Sequence, residues 1–382
     1  MKPLIRAILR SAVYQIKYMD SIPDHAVCSE SVKLAVKKGF SGLRGYVNGV
    51  LRSVVKGIDE VEYPSDPIKR LSVRYSCPEW IIRLWKETYD LSLIETMLKD
   101  FQTEKPTTIR CCRSRITTEQ LKKRLEEEHV LVENHPYLKD ALLISKYDYL
   151  ESLETFREGL FVVQDISSML VGELAHVHGG SAGDRSVCGA GRKRRLMWRN
   201  ALLMEGQAGC SGHVEARDLT EYKVSLIEEN IERMGLCNVT AVCQDASVYD
   251  EKSAGKADIV IADLPCSGLG VLGKKTDLKY KASPEGIVSL VKLQRKILSC
   301  AASYVKPGGE LLYSTCTVNP KENIENVHWF LKEFPEFYAD DIREDLCLEL
   351  RESVTENGCI QLLPGVHKSD GFFIARLRKK EV

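Results

Sequence analysis

The chain has 382 residues, and its 54 lysines and arginines balance its 54 aspartates and glutamates to a formal net charge of zero. This length is enough for two or three domains. No apolar run approaches the ~20 residues that a membrane-spanning helix requires, so we expect no membrane partner and a cytoplasmic location. A zero net charge does not exclude RNA binding, because a local basic surface is sufficient for it.

The first segment, residues 1–58, shows the periodicity of helices. Between Met1 and Met19, apolar residues recur at helical spacing among charged ones. These positions are Ile5, Ile8, Leu9, Ala12, Val13 and Ile16. The pattern predicts an amphipathic helix and not a signal peptide, which would have an uninterrupted apolar run.

The second segment, residues 59–150, combines helical stretches with a predicted strand at Pro106–Arg110. Basic residues follow that strand at Arg113, Arg115 and the run Lys122–Arg124. Two interpretations stay open, a surface for the RNA backbone and a solvated helix face.

The third segment, residues 151–382, alternates short apolar strands with helices, which predicts a parallel sheet covered by helices on both faces. A turn is predicted at Val305–Gly309. The predicted strands and helices are Leu160–Val163, Ser167–Ala175, Asp258–Ala262, Gly286–Tyr304, Leu311–Tyr313, Lys321–Phe334 and Phe372–Ala375.

Two cysteines follow predicted buried strands, Cys266 after Ala257–Ala262 and Cys316 after Glu310–Tyr313. Taken singly, each cysteine reads as a small buried hydrophobic residue. Two thiols at strand ends of one sheet also suit nucleophilic catalysis, because a thiolate can add to C6 of a pyrimidine and thereby make C5 nucleophilic. The chain contains no Cys-x-x-Cys pair, so we expect no metal site, and the free thiols indicate a reducing compartment.

Three aspartates also follow predicted strands: Asp218, Asp245 and Asp263. A single aspartate in this position is usually a helix cap or a turn residue. Three of them in register with the two cysteines favour a ligand site at the carboxyl ends of parallel strands.

The flanks Pro265-Cys266-Ser267 and Thr315-Cys316-Thr317 together resemble the paired-cysteine signature of RNA cytosine-C5 methyltransferases. The chain is similar over essentially its whole length to the bacterial 16S ribosomal RNA methyltransferase B (Sun-like) family. Leu9–Tyr14 and Tyr46–Arg52 resemble the second half of that family's NusB-like RNA-binding domain, so the chain is expected to begin inside it. The tail Leu363–Ala375 closely matches the family's ending.

The resemblance implies a Rossmann-like class I methyltransferase domain at 151–382. A small α/β linker domain at 59–150 and a partial all-α NusB-like domain at 1–58 precede it. It also implies S-adenosylmethionine as cofactor, 16S ribosomal RNA as partner and a monomer.

The resemblance also implies roles for individual residues. Cys316 attacks C6, Asp263 steadies the base, and Cys266 assists proton loss or release. Asp218, Asp245 and Asp263 bind the cofactor. The loop that carries Lys274, Lys275, Asp277 and Lys279 is expected to meet the RNA.

One motif departs from the family. Its glycine loop reads Cys-Ala-Ala-Pro-Gly-Gly-Lys, whereas residues 187–200 are rich in arginine and lysine and are wrong for a buried strand and tight turn. When the codons of Val187 to Arg194 are read one nucleotide later, they permit all seven family residues in order. We therefore expect a shifted reading frame across roughly 185–210, the alternative being a genuinely divergent loop.

Three hypotheses follow: an RNA cytosine-C5 methyltransferase, a non-catalytic RNA-binding relic that has lost donor binding, and a DNA cytosine-C5 methyltransferase. The DNA hypothesis is disfavoured by Thr315-Cys316, since DNA enzymes use the Pro-Cys thiol as nucleophile. Binding of S-adenosylmethionine separates the first two.

Overall fold

The computed structural model describes residues 1–58, 60–175 and 213–381, together with the backbone of 186–189. The chain forms two compact units, Met1–Arg74 and Tyr75–Val382. Within the described ranges, no helix has the length and apolar character needed to cross a membrane. The predicted domain boundaries at 58 and 150 stay predictions.

The first unit is helical. Its helices are α1 (Pro3–Tyr18), α2 (Asp24–Lys37), α3 (Arg44–Gly57) and α4 (Pro67–Arg74). Pro3 opens α1, where a residue without an N–H is tolerated because that group has no partner within the helix. Ile5, Ile8 and Ala12 are buried in a core shared with α2 and α3, which confirms the predicted amphipathic helix.

The second unit begins with helices and a small sheet. Its elements are α5 (Glu79–Lys86), α6 (Leu91–Asp100), β1 (Thr107–Cys111), α7 (Thr118–Glu127), β2 (Leu131–Asn134), β3 (Ala141–Ser145), α8 (Glu154–Arg157) and β4 (Phe161–Val163). The four strands pair in the order β2-β3-β1-β4, and every pairing is antiparallel. The prediction that Leu160–Val163 belongs to the parallel sheet is therefore wrong. A short apolar run does not reveal which sheet it will join.

A larger mixed sheet follows. Its elements are α9 (Ile166–Leu174), β5 (Ser186–Gly189), β6 (His213–Asp218), α10 (Glu221–Met234), β7 (Val239–Cys243), β8 (Ala257–Asp263), α11 (Leu278–Lys281), α12 (Pro284–Tyr304), β9 (Val305–Thr315), α13 (Ile324–Glu333), β10 (Phe337–Asp340), α14 (Leu348–Arg351), β11 (Ile360–Leu362) and β12 (Phe372–Lys379). The strand order is β10-β12-β9-β8-β5-β6-β7, and β11 pairs with β12.

The strand order reverses at β5. Strands β5 to β9 are parallel to one another, with β8 on one side of β5 and β6 on the other, whereas β12 is antiparallel to its neighbours. In sheets of this kind, ligands bind beyond the carboxyl ends of the strands at such a reversal. This confirms the predicted Rossmann-like α/β architecture and places the ends of β5, β6 and β8 beside the expected cofactor site.

Two predicted boundaries differ from the structure. Val305–Gly309 was predicted to be a turn but forms the start of β9, and an irregularity in its pairing with β8 accommodates Gly308 at φ +74°. The helix predicted at Lys321–Phe334 begins only at Ile324.

Candidate active site

The two predicted cysteines lie together. Strands β8 and β9 are parallel neighbours, with Asp263 opposite Ser314, so the loops that follow them leave the sheet side by side. The Sγ atoms of Cys266 and Cys316 are 3.0 Å apart. Cys266 is buried, whereas Cys316 is partly exposed and is the sulfur that an incoming molecule can reach more easily.

The environment of Cys266 favours its protonated form. Its pKa lies well above the ordinary value, because of its hydrogen bond with Cys316, because of burial, and because of the negative charges of Cys316 and Glu322. At neutral pH, Cys266 is therefore a thiol and not a thiolate.

Asp263 ends β8 and is buried close to the start of the Cys266 loop. Burial raises the pKa of its carboxyl to about 7, which the hydroxyl of Ser314 opposes in part by donating a hydrogen bond over 3.3 Å. A carboxyl group with this pKa can gain or lose a proton near neutral pH, as a group that handles protons on a substrate must.

A buried carboxylate that was not predicted, Glu322, lies behind the cysteines. Its Oε1 accepts from the main-chain N–H of Ser267 over 2.8 Å and from Nε2 of Gln294 over 3.1 Å. Its Oε2 accepts from the hydroxyl of Ser267 over 2.6 Å and from Nδ2 of Asn319 over 3.0 Å. The side chain is fully buried, and these four donors are neutral.

The contacts of Glu322 join the two cysteine loops. The hydroxyl of Ser267, next to Cys266, also lies 2.9 Å from the hydroxyl of Thr317, next to Cys316. Gln294 of α12 fixes the first loop from behind by donating to the carbonyl of Pro265 over 2.8 Å. Buried polar networks of this kind hold their members in one arrangement when every group is satisfied.

The sequence signal for this network was ambiguous. Polar residues at the relative positions 1, 4, 5 and 8 begin just before the segment predicted as a helix and continue into it. These are Asn319, Glu322, Asn323 and Asn326. Such a stripe usually marks a helix face in solvent, and only the folded structure shows that all four side chains are buried.

Asp218 and Asp245 follow the adjacent parallel strands β6 and β7. Oδ1 of Asp218 accepts from the N–H of Leu219 over 2.7 Å and from Nζ of Lys223 over 2.9 Å. Oδ1 of Asp245 accepts from the N–H of Ser247 over 2.9 Å, as in the turn expected of such a residue. Asp263 ends β8, on the other side of β5 from Asp218 and Asp245. The carboxylate oxygens of the three aspartates fit a ligand that carries ribose hydroxyls and an amino group.

The irregular glycine loop lies outside the described residues, apart from its first part. Residues 186–189 form β5, between β8 and β6, as the first strand of the parallel series requires. The sequence predicts that the segment from Val187 onward does not form a buried strand. This prediction is wrong for 186–189, which form β5. The predicted change of reading frame spans roughly 185–210, most of which lies outside the described residues, and it stays a prediction.

Lys274, predicted to meet RNA, is engaged within the protein. Its Nζ lies 2.6 Å from a carboxylate oxygen of Asp165 and 2.8 Å from one of Asp370. Burial lowers the pKa of Lys274, but the two carboxylates outweigh this and raise it above its ordinary value. Lys274 therefore ties the loop after Cys266 to the start of α9 and to the segment before β12, which leaves Lys275 and Lys279 as the lysines predicted to meet RNA.

The basic residues of the small sheet region are also paired in large part. Arg113 contacts Asp140, Arg115 donates to the carbonyl of Glu158 over 2.7 Å, and Arg124 binds the Glu158 carboxylate. These contacts favour a structural role for the three arginines over the predicted RNA surface.

Comparison with known proteins identifies three regions. The NusB family matches residues 1–56, a ferredoxin-like domain of RsmF/B-like methyltransferases matches 77–149, and the family 16S rRNA methyltransferase RsmB/F matches 200–378. The predicted order of a NusB-like, a small α/β and a methyltransferase region is thereby confirmed.

Individual relatives support the same family assignment. The chain is 33% identical to the probable ribosomal RNA small subunit methyltransferase B of Bacillus subtilis (strain 168), over 99% of this chain and 83% of that protein. It is 29% identical to the protein of the same name from Synechocystis, with the same coverage. A crystal structure of a methyltransferase homolog from Pyrococcus horikoshii shares the fold, with a TM-score of 0.68 at 21% identity over 83% of this chain and 100% of that one. The cofactor is S-adenosylmethionine, and the chain belongs to the 16S rRNA methyltransferase RsmB/F family.

Proposed function

We propose that this protein methylates C5 of a cytosine in 16S ribosomal RNA through a covalent cysteine adduct. The observation that carries the proposal is the pair of sulfurs 3.0 Å apart, one buried and protonated and the other partly exposed, beside a carboxyl with a pKa of about 7. Two thiols and a proton-handling carboxyl are the groups that such a reaction requires.

The thiolate of Cys316 adds to C6 of the cytosine, and Asp263 holds the base at its ring nitrogen or exocyclic amine while electron density moves towards C5. S-adenosylmethionine, when bound, supplies the methyl group. Once the Cys316 sulfur is bonded to C6 it carries no negative charge, so the Cys266 thiol can lose its proton to solvent and then take the C5 proton. The electron pair of the C5–H bond re-forms the C5–C6 double bond, and the bond between C6 and the Cys316 sulfur breaks, which returns Cys316 as a thiolate. The free enzyme is thereby regenerated.

RNA is the proposed substrate because the relatives in Bacillus subtilis and Synechocystis are named ribosomal RNA small subunit methyltransferases. The Thr315-Cys316 motif supports RNA over DNA. The target cytosine must be unpaired or flipped out, since C5 and C6 are otherwise stacked inside a helix. We place the protein in the cytoplasm with its RNA, acting as a monomer.

The product tests this proposal. The chain is incubated with S-adenosylmethionine and unmethylated 16S ribosomal RNA, and the RNA is digested to nucleosides for mass spectrometry. We expect 5-methylcytidine to appear. The unaltered chain and a version with the shifted reading at 185–210 are both assayed, so that a failure to bind the cofactor is not mistaken for a different reaction. A methylated base other than 5-methylcytidine would contradict the proposal.

We assign Asp218 to the ribose of the cofactor, through its Oδ2, because both described bonds end on Oδ1. Asp218→Ala should weaken S-adenosylmethionine binding by on the order of 1.5–3 kcal/mol, the cost of losing hydrogen bonds to a charged group. Calorimetric titration of the loop-corrected version measures this. Asp258→Ala, at the opposite end of β8, is the control. Unchanged affinity in Asp218→Ala would reject the assignment.

A second candidate, an RNA-binding relic without catalysis, is favoured by one observation: the arginine- and lysine-rich sequence that replaces the glycine loop. Under this alternative the cysteine pair survives but the cofactor does not bind. Cofactor binding therefore decides between the two.

A further inference from the structure

The two sulfurs at the site are not equivalent. Cys266 and Cys316 are close enough to share a proton, and Cys266 is the more deeply buried. When the two thiols have together lost one proton to solvent, the sulfur that keeps the remaining proton is a thiol and cannot act as the nucleophile. The group that determines which sulfur keeps this proton therefore determines which cysteine attacks.

Glu322 lies close enough to the Cys266 loop to influence which sulfur keeps the proton. It binds both the main-chain N–H and the hydroxyl of Ser267, the residue next to Cys266. In the segment after Cys316 it bonds Asn319 directly, but it reaches Thr317, the residue next to Cys316, only through Ser267. The residue next to Cys266 is therefore in direct contact with the Glu322 carboxylate, whereas the residue next to Cys316 is not.

Four hydrogen-bond donors surround the side chain of Glu322. A carboxylate has about four acceptor positions, and here two backbone or hydroxyl donors and two carboxamide donors fill them. Donors of this kind stabilise the ionised form. Because an ionised Glu322 can only accept, the Ser267 hydroxyl must donate to it, and the Thr317 hydroxyl must then donate to Ser267. The network is thus oriented in a single direction.

We propose that Glu322 is a positioning residue which keeps the shared proton on Cys266 and so leaves Cys316 as the thiolate. The inference rests on the proposed function, in which Cys316 attacks C6. The S–H of Cys266 donates to the Cys316 sulfur, and the second proton of the pair goes to solvent.

Other ionisable groups near Cys266 do not provide this asymmetry. Burial raises the pKa of Tyr313, whose hydroxyl donates to the carbonyl of Glu322, so Tyr313 stays neutral. Arg295 of α12 donates to Asn326 over 2.9 Å and faces the ring of Trp329. Asp263 is buried with a pKa of about 7.

Alkylation of the two cysteines tests the proposal without cofactor or RNA. The unaltered chain is treated with iodoacetamide from pH 7 to 11, and the labelled peptides of Cys266 and Cys316 are quantified by mass spectrometry. In the unaltered protein, the pH at which alkylation reaches half of its maximal rate (the midpoint) should be lower for Cys316 than for Cys266. In Glu322→Gln the midpoint for Cys266 should fall by about one pH unit, because a neighbouring negative charge is lost.

Three further variants separate charge from structure. Glu322→Asp keeps the charge and should restore the order of the midpoints, whereas Glu325→Gln alters an exposed carboxylate in the same segment and should change nothing. If Glu322→Gln does not fold, Ser267→Ala removes one donor of Glu322 and should shift the Cys266 midpoint in the same direction by less. Equal acceleration of both cysteines at every pH, or an unmoved Cys266 midpoint, would overturn the proposal.

The inference and the proposed function can fail separately. A protein–RNA adduct in Cys266→Ala with an alkylation profile insensitive to Glu322 rejects the inference alone. The expected alkylation profile without any adduct in Cys266→Ala rejects the covalent mechanism and leaves the proton assignment standing.

Discussion

Replacing Cys316 with alanine should abolish methyl transfer, and replacing Cys266 with alanine should leave the protein covalently bound to its RNA. Without Cys316, no thiolate adds to C6 and C5 stays unreactive, so we expect a fall in rate on the order of 10⁴-fold or more. Without Cys266, the adduct forms but is released slowly. Labelled RNA should then migrate with the protein on a denaturing gel.

The matched control is Cys237→Ala, which removes an exposed thiol that follows α10, far along the chain from both motifs. It should transfer methyl groups at the unaltered rate and trap no RNA. All variants are made in the unaltered chain and in the version with the shifted reading at 185–210. An adduct in Cys316→Ala but not in Cys266→Ala would reverse the roles and support the mechanism of DNA enzymes.

The juxtaposition of the two cysteines could be predicted because it depends on local patterns. Each cysteine follows a continuous apolar run, and runs of this kind form buried parallel strands. The carboxyl ends of parallel strands lie at the same edge of a sheet, so Cys266 and Cys316 could be expected together once β8 and β9 were expected to be neighbours. The register of Asp263 with Ser314 brings this about.

The features that the sequence did not reveal depend on partners distant in the chain. Nothing local distinguishes Glu322 from an exposed glutamate, since its burial depends on Ser267 and Gln294 from other elements. Lys274 likewise has the sequence context of an RNA-binding lysine, and only the structure reveals its contacts with Asp165 and Asp370. Strand β4 was assigned to the wrong sheet because its three residues carry no information on pairing.

Residues 185–210 form a segment in which the sequence departs from its family. The unaltered chain should therefore bind S-adenosylmethionine weakly or not at all. A glycine turn is needed there because its backbone must adopt conformations that a side chain penalises and because the ligand lies against it. Arg192 and Lys193 would also bring positive charge towards the sulfonium of the cofactor, which repels it.

Replacing 185–210 with the reading shifted by one nucleotide should restore Cys-Ala-Ala-Pro-Gly-Gly-Lys and, with it, cofactor binding. Isothermal titration of both versions in one buffer measures the difference, and sequencing the gene across codons 180–215 shows independently which reading the organism carries. Asp218→Ala in the restored version should lose part of the regained affinity, because the ribose contact acts only when the loop admits the ligand. Micromolar binding by the unaltered chain would instead show that an arginine-rich sequence is tolerated after β5 and would remove the reason to infer a shifted frame.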